Sequence, residues 1–517
     1  MRKIFTVAAA AALIFTVSVT AQAKTLRLAY DADPVSLDPH EQLSGGTLQL
    51  SHMVFDPLIR WTKDMKFEGR LATSWERIDE KTMRFNLRKG VKFHSGNPMT
   101  ALDVVWTFDR LKKSPDFKGL FAPFESMKVV DPNTVDLVTT EPYPLVLHQS
   151  TYIFVMDSKF YTGFDANGKS KSDIVKHGNS FASTNVSGTG PYVISSREQG
   201  VKVVFDRFAD YWDKKSPGNV DKIVMTPIKE GPTRVAALLS GDVDFIAPVP
   251  PTDMDRIKKN ADTQLITMGG ARIITFQMNQ KRVDAFKDKR VRQAIVYAIN
   301  NKGIVKKIMK GFATAAGQQG PKGYAGYDAN LTPRYDLAKA KQLMKDAGYE
   351  KGFSVTMMAP NNRYVNDAKI AEAAASMLSK INIKVDLKTM PKAQYWPEFD
   401  KRSADIMMIG WRSDTEDSAN FSEFLTMTPN SETGYGQYNS GNYSNAEVDK
   451  LTLQSQSMTD PVARAKVLQK VEKILYDDAA FVPLHWQNLA WAARNGVEID
   501  PVINSQNMPY LGDLVIK

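Results

Sequence analysis

The sequence predicts an α/β protein of at least two domains, and three observations carry that reading. The chain has 517 residues, too many for one hydrophobic core. Its content of 43% hydrophobic and 24% charged residues is that of a folded globular chain, not of a disordered or fibrous one. Through its second half, period-2 apolar segments alternate with 3.6-period ones, as when strands and helices follow one another in turn.

Met1 to Ala23 reads as a secretion signal. Arg2 and Lys3 form the charged start, Ile4 to Val19 the mostly apolar run, and Ala21-Gln22-Ala23 the small-x-small cleavage site. No later stretch reaches the about 18 apolar residues of a membrane span. Without Arg2 and Lys3 the chain keeps 65 basic against 57 acidic residues, a net +8 in place of +10. That excess is spread out, with no basic block interleaved with aromatics, which argues against nucleic-acid binding. Cysteine is absent, so there is neither a disulfide to form nor a thiol for a lipid anchor. The expected location is the periplasm, reached by cleavage after Ala23.

The elements follow in order. Lys24 to Tyr30 alternates as a strand, and Pro34, Asp38 and Pro39 make turns. Gly46 to Phe55 suits a helix that Asp56-Pro57 ends. Met83 to Leu87 is a half-buried strand; Lys89-Gly90 turns the chain and Val91 and Phe93 resume the alternation. Thr100 and Asp103 form a capping box for a helix whose face is Val104, Val105, Phe108 and Leu111. Thr134 to Val138 is a strand and Phe164 to Ser180 a loop. Gly188-Thr189-Gly190 looks like a phosphate cradle, but Pro191 and a strand follow it where a helix and a lysine are needed. Lys202 to Phe205 is a strand, Thr233 to Leu239 a short helix. Gly269-Gly270 precedes a strand from Ile273 to Met278. Asp288 to Asn300 is an amphipathic helix with Val291, Ala294, Ile295 and Ala298 on one face. Helices from Leu337 to Ala347 and Asp367 to Lys380 alternate with strands Phe353 to Met358 and Ile383 to Leu387. Ala404 to Gly410 is a buried strand, Val462 to Tyr476 a helix with Pro461 in its first turn, and Phe481 to Trp486 a closing strand.

Catalytic and metal chemistry finds no support. The six histidines show no HxxxH or HExxH spacing, and there is no G-x-S-x-G elbow. Asp242 and Asp244 read as solvated turn acids. No enzyme activity, metal or cofactor is expected.

Ser74-Trp75-Glu76, followed by FNLRKGVKFHSGNPMTALDVVWTFDR from Phe85 to Arg110, resembles the signature of the family 5 extracellular solute-binding proteins. These are the dipeptide-, oligopeptide- and nickel-binding receptors of bacterial ABC importers. The Leu37-Asp38-Pro39 loop, GTGPY at 188–192, SGDVDF at 240–245 and RVRQAI at 290–295 resemble further wording of that family. The resemblance implies a bilobal fold like the type II periplasmic binding proteins, with three domains (cluster C) and a hinged cleft. The first domain would take 24–54, 188–268 and 483–517; the second, inserted, 55–187; the third, 269–482. It implies a monomeric receptor that captures a short peptide in the cleft and delivers it to a permease heterodimer driven by cytoplasmic ATPases.

It also implies site residues. In Gly410-Trp411-Arg412-Ser413-Asp414 the aspartate would hold a peptide amine and Trp411 would form a wall. The family's following "DP" is Asp417-Ser418 here, which shifts the local match, and a plain turn aspartate is the alternative for Asp414. Arg363, in Asn361-Asn362-Arg363-Tyr364, resembles the arginine that takes the peptide carboxylate, for which a guanidinium fork is suited; a salt bridge within the loop is its alternative. Asn366 and Asp367 read as helix caps. Tyr30, Asp38, Asn279, Tyr435 and Trp486 complete the candidate walls. Another small solute (an opine, a glutathione-like compound or a metal chelate) is the second ligand reading. A periplasmic hydrolase or a secreted adhesion module would need a nucleophile–base set, repeats or a sorting tail, and the sequence offers none.

Overall fold

The computed structural model describes residues 23–413, 415 and 417–517. The segment before Ala23, with its expected secretion signal, and Asp414 lie outside the described residues.

An eleven-stranded sheet runs through the molecule. In chain order its strands are β1 (Thr25–Tyr30), β2 (Tyr192–Glu198), β3 (Lys202–Arg207), β4 (Lys222–Met225), β5 (Phe245–Ala247), β6 (Thr263–Met278), β7 (Ala313–Ala315), β8 (Phe353–Pro360), β9 (Ile383–Met390), β10 (Ile406–Trp411) and β11 (Val482–Arg494). Their spatial order is β9-β8-β10-β6-β11-β5-β1-β4-β3-β2, with β7 added on β11. The strands β1, β4 and β5 pair in parallel, as do β8, β9 and β10, so each lobe collects strand carboxyl ends on one side. Strand β10 is buried at every residue, as expected for a strand covered on both faces.

The antiparallel pair β6 and β11 joins the two groups, from Thr263 opposite Arg494 to Phe276 opposite Val482. The ladder slips between Met268 and Arg272. There a Cβ on Gly270 would collide with the Gln487 carbonyl, whereas Gly269 faces open space. The sequence places a new strand after this Gly-Gly pair; the structure has one long strand bulged at it, because glycine bends a strand without leaving the ladder.

Residues 72–139 form a separate antiparallel sheet ordered Ala72–Arg77, Thr82–Leu87, Thr134–Thr139, Phe124–Asp131. The helix Ala101–Leu111 packs on it through Val104, Phe108 and Leu111, and its Thr100–Asp103 capping box is present in both directions. Val91 and Phe93 are buried but continue no strand; Lys92 bridges only Pro98. Gly188 and Gly190 cradle no phosphate: a Cβ on either would strike the Val54–Phe55 backbone. They let the returning chain cross the one that leaves helix Gly45–Val54 at close range. Among the described residues no helix is long and apolar enough to cross a membrane.

Two consequences are measurable. Gly270→Ala should cost about 1–3 kcal/mol through the forced backbone shift, while Gly269→Ala stays within about 0.5 kcal/mol; equal urea midpoints for the two variants would contradict the bulge. The second concerns Glu472, buried on helix Pro461–Asp478, whose carboxyl accepts the Gln319 and Gly320 N–H groups at 3.1 Å each. Burial pushes its pKa up to about 7, against those two bonds. The folded state therefore holds this proton more tightly than the unfolded chain. Its contribution is full below the ordinary value of 4.5 and is lost as pH rises towards 7, at up to about 1.4 kcal/mol per pH unit. Glu472→Gln should flatten the stability–pH curve over that window, as read from urea melts.

Candidate functional site

Tyr30, Met225 and Ala247 end the parallel strands β1, β4 and β5, and all three line one cavity. Crevices at strand carboxyl ends are where α/β sheets bind ligands. The loop after β8 supplies Arg363 and Val365 from the other lobe; Lys392 starts the helix Lys392–Asp400; Arg272 and Gln487 come from the crossing strands. A second cavity shares Gly45, Arg272 and Arg363 with the first and is walled by Trp396, Trp411 and Tyr438. The cleft is therefore continuous and interlobe.

The arginine loop is held firmly. The Asp367 carboxylate accepts the N–H groups of Arg363 at 2.9 Å, Tyr364 at 3.0 Å and Ala368 at 2.9 Å. Burial raises its pKa to about 6 in spite of them. Val365 N–H donates to Gln487 Oε1 at 3.1 Å, and Lys392 N–H donates to Asn362 Oδ1 at 2.7 Å. Asn366, expected as a cap, sits instead at φ 59° with no side-chain cap bond and donates to the Ile308 carbonyl; asparagine tolerates that left-handed turn. Arg363 lies 5.0 Å over the Tyr364 ring. Its Nε and the Tyr30 hydroxyl are both buried with no hydrogen-bond partner. Trp411 is held by an indole bond to Asn420 Oδ1 at 3.0 Å and by stacking on Phe424.

The described lining of the cleft is rich in cations. Arg272, Arg363 and Lys392 line the first cavity against the single carboxylate of Asp31 among the described residues, and Arg412 lines the second. Arg272 donates to the Gly410 carbonyl. Burial pulls the Lys392 ammonium below its usual range; Asp31 opposes this and Arg363 adds to it.

Tyr30, Trp411 and Arg363 thus come together at the cleft, and four other expected residues do not line it. Asp38 is fully buried in an ion pair with Arg110, at 2.9 and 2.6 Å, and also accepts the His40 N–H; Arg110 outweighs burial and holds its pKa down. Asn279 spends its carbonyl on the Lys281 and Arg282 N–H groups and on Asn442. The Tyr435 hydroxyl bonds Gln456, and the Trp486 indole donates to the Gln319 carbonyl in the bend after β7. Each spends its polar group on another group of the protein. Asp244 likewise pairs with Arg27. The residues that reasoning missed are Gly45, Gly46, Arg272, Lys392 and Gln487. The one available signal was two glycines opening a helix with no capping acid behind them.

Beside the second cavity the lobes are tied through Asp116, 1% exposed. It accepts the Tyr438 hydroxyl at 2.6 Å and the Gln437 amide at 2.8 Å, and pairs with Lys176, which also reaches Asp400.

Comparison with known proteins agrees with this architecture. The family described as bacterial extracellular solute-binding proteins, family 5 Middle, matches residues 66–432. The glutathione-binding protein GsiB of Salmonella choleraesuis is 27% identical over 486 residues, 91% of this chain and 90% of that protein. The periplasmic binding protein DppA of Helicobacter pylori, solved in complex with the peptide STSA, has the same fold with a TM-score of 0.85 and 24% identity, covering 95% of this chain and 98% of that one. AgaA of A. tumefaciens R10, solved with agropinic acid, gives 0.85 and 24% over 95% and 99%.

The Asp116 tie should hold the cleft shut. Asp116→Ala is expected to enlarge the radius of gyration in small-angle scattering, and Tyr438→Phe to do so less; an unchanged radius in both would remove that role.

Proposed function

Because the chain belongs to the bacterial extracellular solute-binding proteins of family 5, we propose that it is the periplasmic receptor of an ABC importer for a short peptide or peptide-like solute. The secretion signal would be cleaved after Ala23, and the monomeric receptor would pass its cargo to a permease pair driven by cytoplasmic ATPases. No bond of the solute is made or broken.

The observation that carries the ligand reading is the pair of buried, partnerless groups in one cavity, Arg363 Nε and the Tyr30 hydroxyl. A buried donor left unpaired costs about 1–3 kcal/mol, which a bound acceptor recovers. Arg363 would take the solute carboxylate, its loop already locked by Asp367 and Gln487 so that little ordering remains to be done on binding. Trp411 would wall the outer part of the cleft. Asp414, on its sequence context, would take the amine. The relatives named above, one binding glutathione, one solved with a peptide and one with an opine, support a small zwitterionic or anionic cargo of this kind.

Mass spectrometry of solute released by denaturing the mature protein should find a small peptide-like acid. Arg363→Met should weaken its binding at least about tenfold, as loss of a buried charge-assisted contact does, and Asp414→Ala should release it if it carries an amine. Binding unaffected by Arg363→Met would remove the carboxylate assignment.

A further inference from the structure

The basic excess forms no block along the chain, yet the fold gathers it on one lobe. Residues 269–482 hold 31 basic and 23 acidic residues, and the rest of the chain after Ala23 holds 34 of each. Within that lobe, 281–400 carry 22 basic against 11 acidic residues. Part of this charge collects at one end. Strands β8 and β9 run parallel, with Phe353 opposite Ile383 and Ser354 opposite Lys384. Their carboxyl ends lead into Arg363 and Lys392 at the cleft. Their amino ends lie about 25 Å from it, at about 3.3 Å per residue. There the Asn382 side chain donates to the Glu350 carbonyl at 2.8 Å, and a Cβ on Gly352 would strike the Asn382 carbonyl. Residues 350–352 and 380–384 are thus held together, and helix Leu337–Asp346 packs against 379–381 beside them.

Lys341, Lys345, Lys351, Lys380 and Lys384 share this end, and all five are exposed. Among the described residues none has an ion pair within 4 Å; of the nearby acids, Asp386 is taken by Lys388 and Asp346 by Gln342. Lys341 and Lys345 stand one helical turn apart, a like-charge spacing that costs helix stability. Lys384 lies on the sheet-edge strand β9, where a lysine also blocks strand pairing; the other four stand off that strand. We propose that this end of the lobe is a contact surface for a bilayer rich in anionic phospholipid, the membrane that carries the permease. Protein interfaces favour arginine and aromatic residues and are poor in lysine. Flexible lysine ammonium groups instead suit a diffuse layer of phosphate headgroups. Because the rest of the chain is balanced in charge, the attraction is one-sided and orients the molecule as well as holding it. The cleft then faces away from the bilayer and stays open to solute. The receptor reading enters only in saying which membrane is at hand.

The test sediments the chain after Ala23 with vesicles of phosphatidylcholine, alone or with about one-third phosphatidylglycerol, at low salt. The anionic vesicles should bind it at least tenfold more tightly, and about 0.5 M salt should release it by screening. Lys341→Gln,Lys345→Gln,Lys351→Gln,Lys380→Gln,Lys384→Gln should weaken this binding at least fivefold. A control of equal net charge, Lys89→Gln,Lys128→Gln,Lys159→Gln,Lys202→Gln,Lys259→Gln, removes five exposed lysines elsewhere and should weaken it less than twofold. Equal loss in the two variants, or equal binding to the two vesicle types, overturns the surface. Soluble poly-L-glutamate bound as tightly per charge as the anionic vesicles would make the partner an acidic protein and overturn the lipid assignment. Arg363→Met should leave vesicle binding within twofold, so this surface and the receptor reading fail separately.

Discussion

The ladder between β6 and β11 is the constraint from which the rest of the molecule follows. Both strands traverse the sheet from one lobe to the other, and buried backbone groups must stay paired. The lobes can therefore bend against each other most easily where the ladder already slips, between Ile274 and Thr275 and between Met268 and Arg272. Arg272 and Gln487 are paired just beyond the second slip, and both face the cavity. Gln487 also holds the arginine loop through Val365. Bending at the slip thus changes the same surface a solute would touch, which is how cleft binding and lobe closure become one equilibrium.

Charges in this protein fall into two physical groups. Asp38 with Arg110, Asp56 with Arg70, Tyr211 and Trp212, and Asp417 with Arg464 are buried but matched. They fix how segments distant in sequence meet, and removing one member would strand the other. The cleft is arranged differently. Lys392 and Arg363 repel each other beside a helix start without a side-chain cap, and Asp31 and Asp33 oppose that repulsion. A surface that holds like charges in place, on a locked loop and a helix end, has already met the cost of bringing them together. That preorganisation favours an incoming opposite charge.

Glycine serves three distinct ends here, and local sequence does not tell them apart. Gly188 and Gly190 permit two chains to cross. Gly270 permits a strand to bulge against the Gln487 carbonyl. Gly45 and Gly46 are not needed for close approach by any backbone; they keep a helix start bare in front of Arg272 and Lys392. The third arrangement was the one least marked in the sequence, where the pair looks like an ordinary helix beginning.

The sequence by itself determined the element types and most of their bounds, the capping box at Thr100, the amphipathic face of Lys289–Ala298 and the family. Those depend on periodicity, turn chemistry and short wording, all of which are local. It also reached Arg363 and Trp411, through their resemblance to family segments just past a strand, and Tyr30 as a further wall candidate. Only the tertiary structure decided that Asp38 is consumed by Arg110 and Trp486 by the Gln319 carbonyl, and that Gly45, Arg272, Arg363 and Lys392 share one cavity. Whether a charge is spent inside the fold or offered to a solute is a property of its neighbours. For Asp38 and Trp486 those neighbours lie 72 and 167 residues away, beyond the reach of any local pattern.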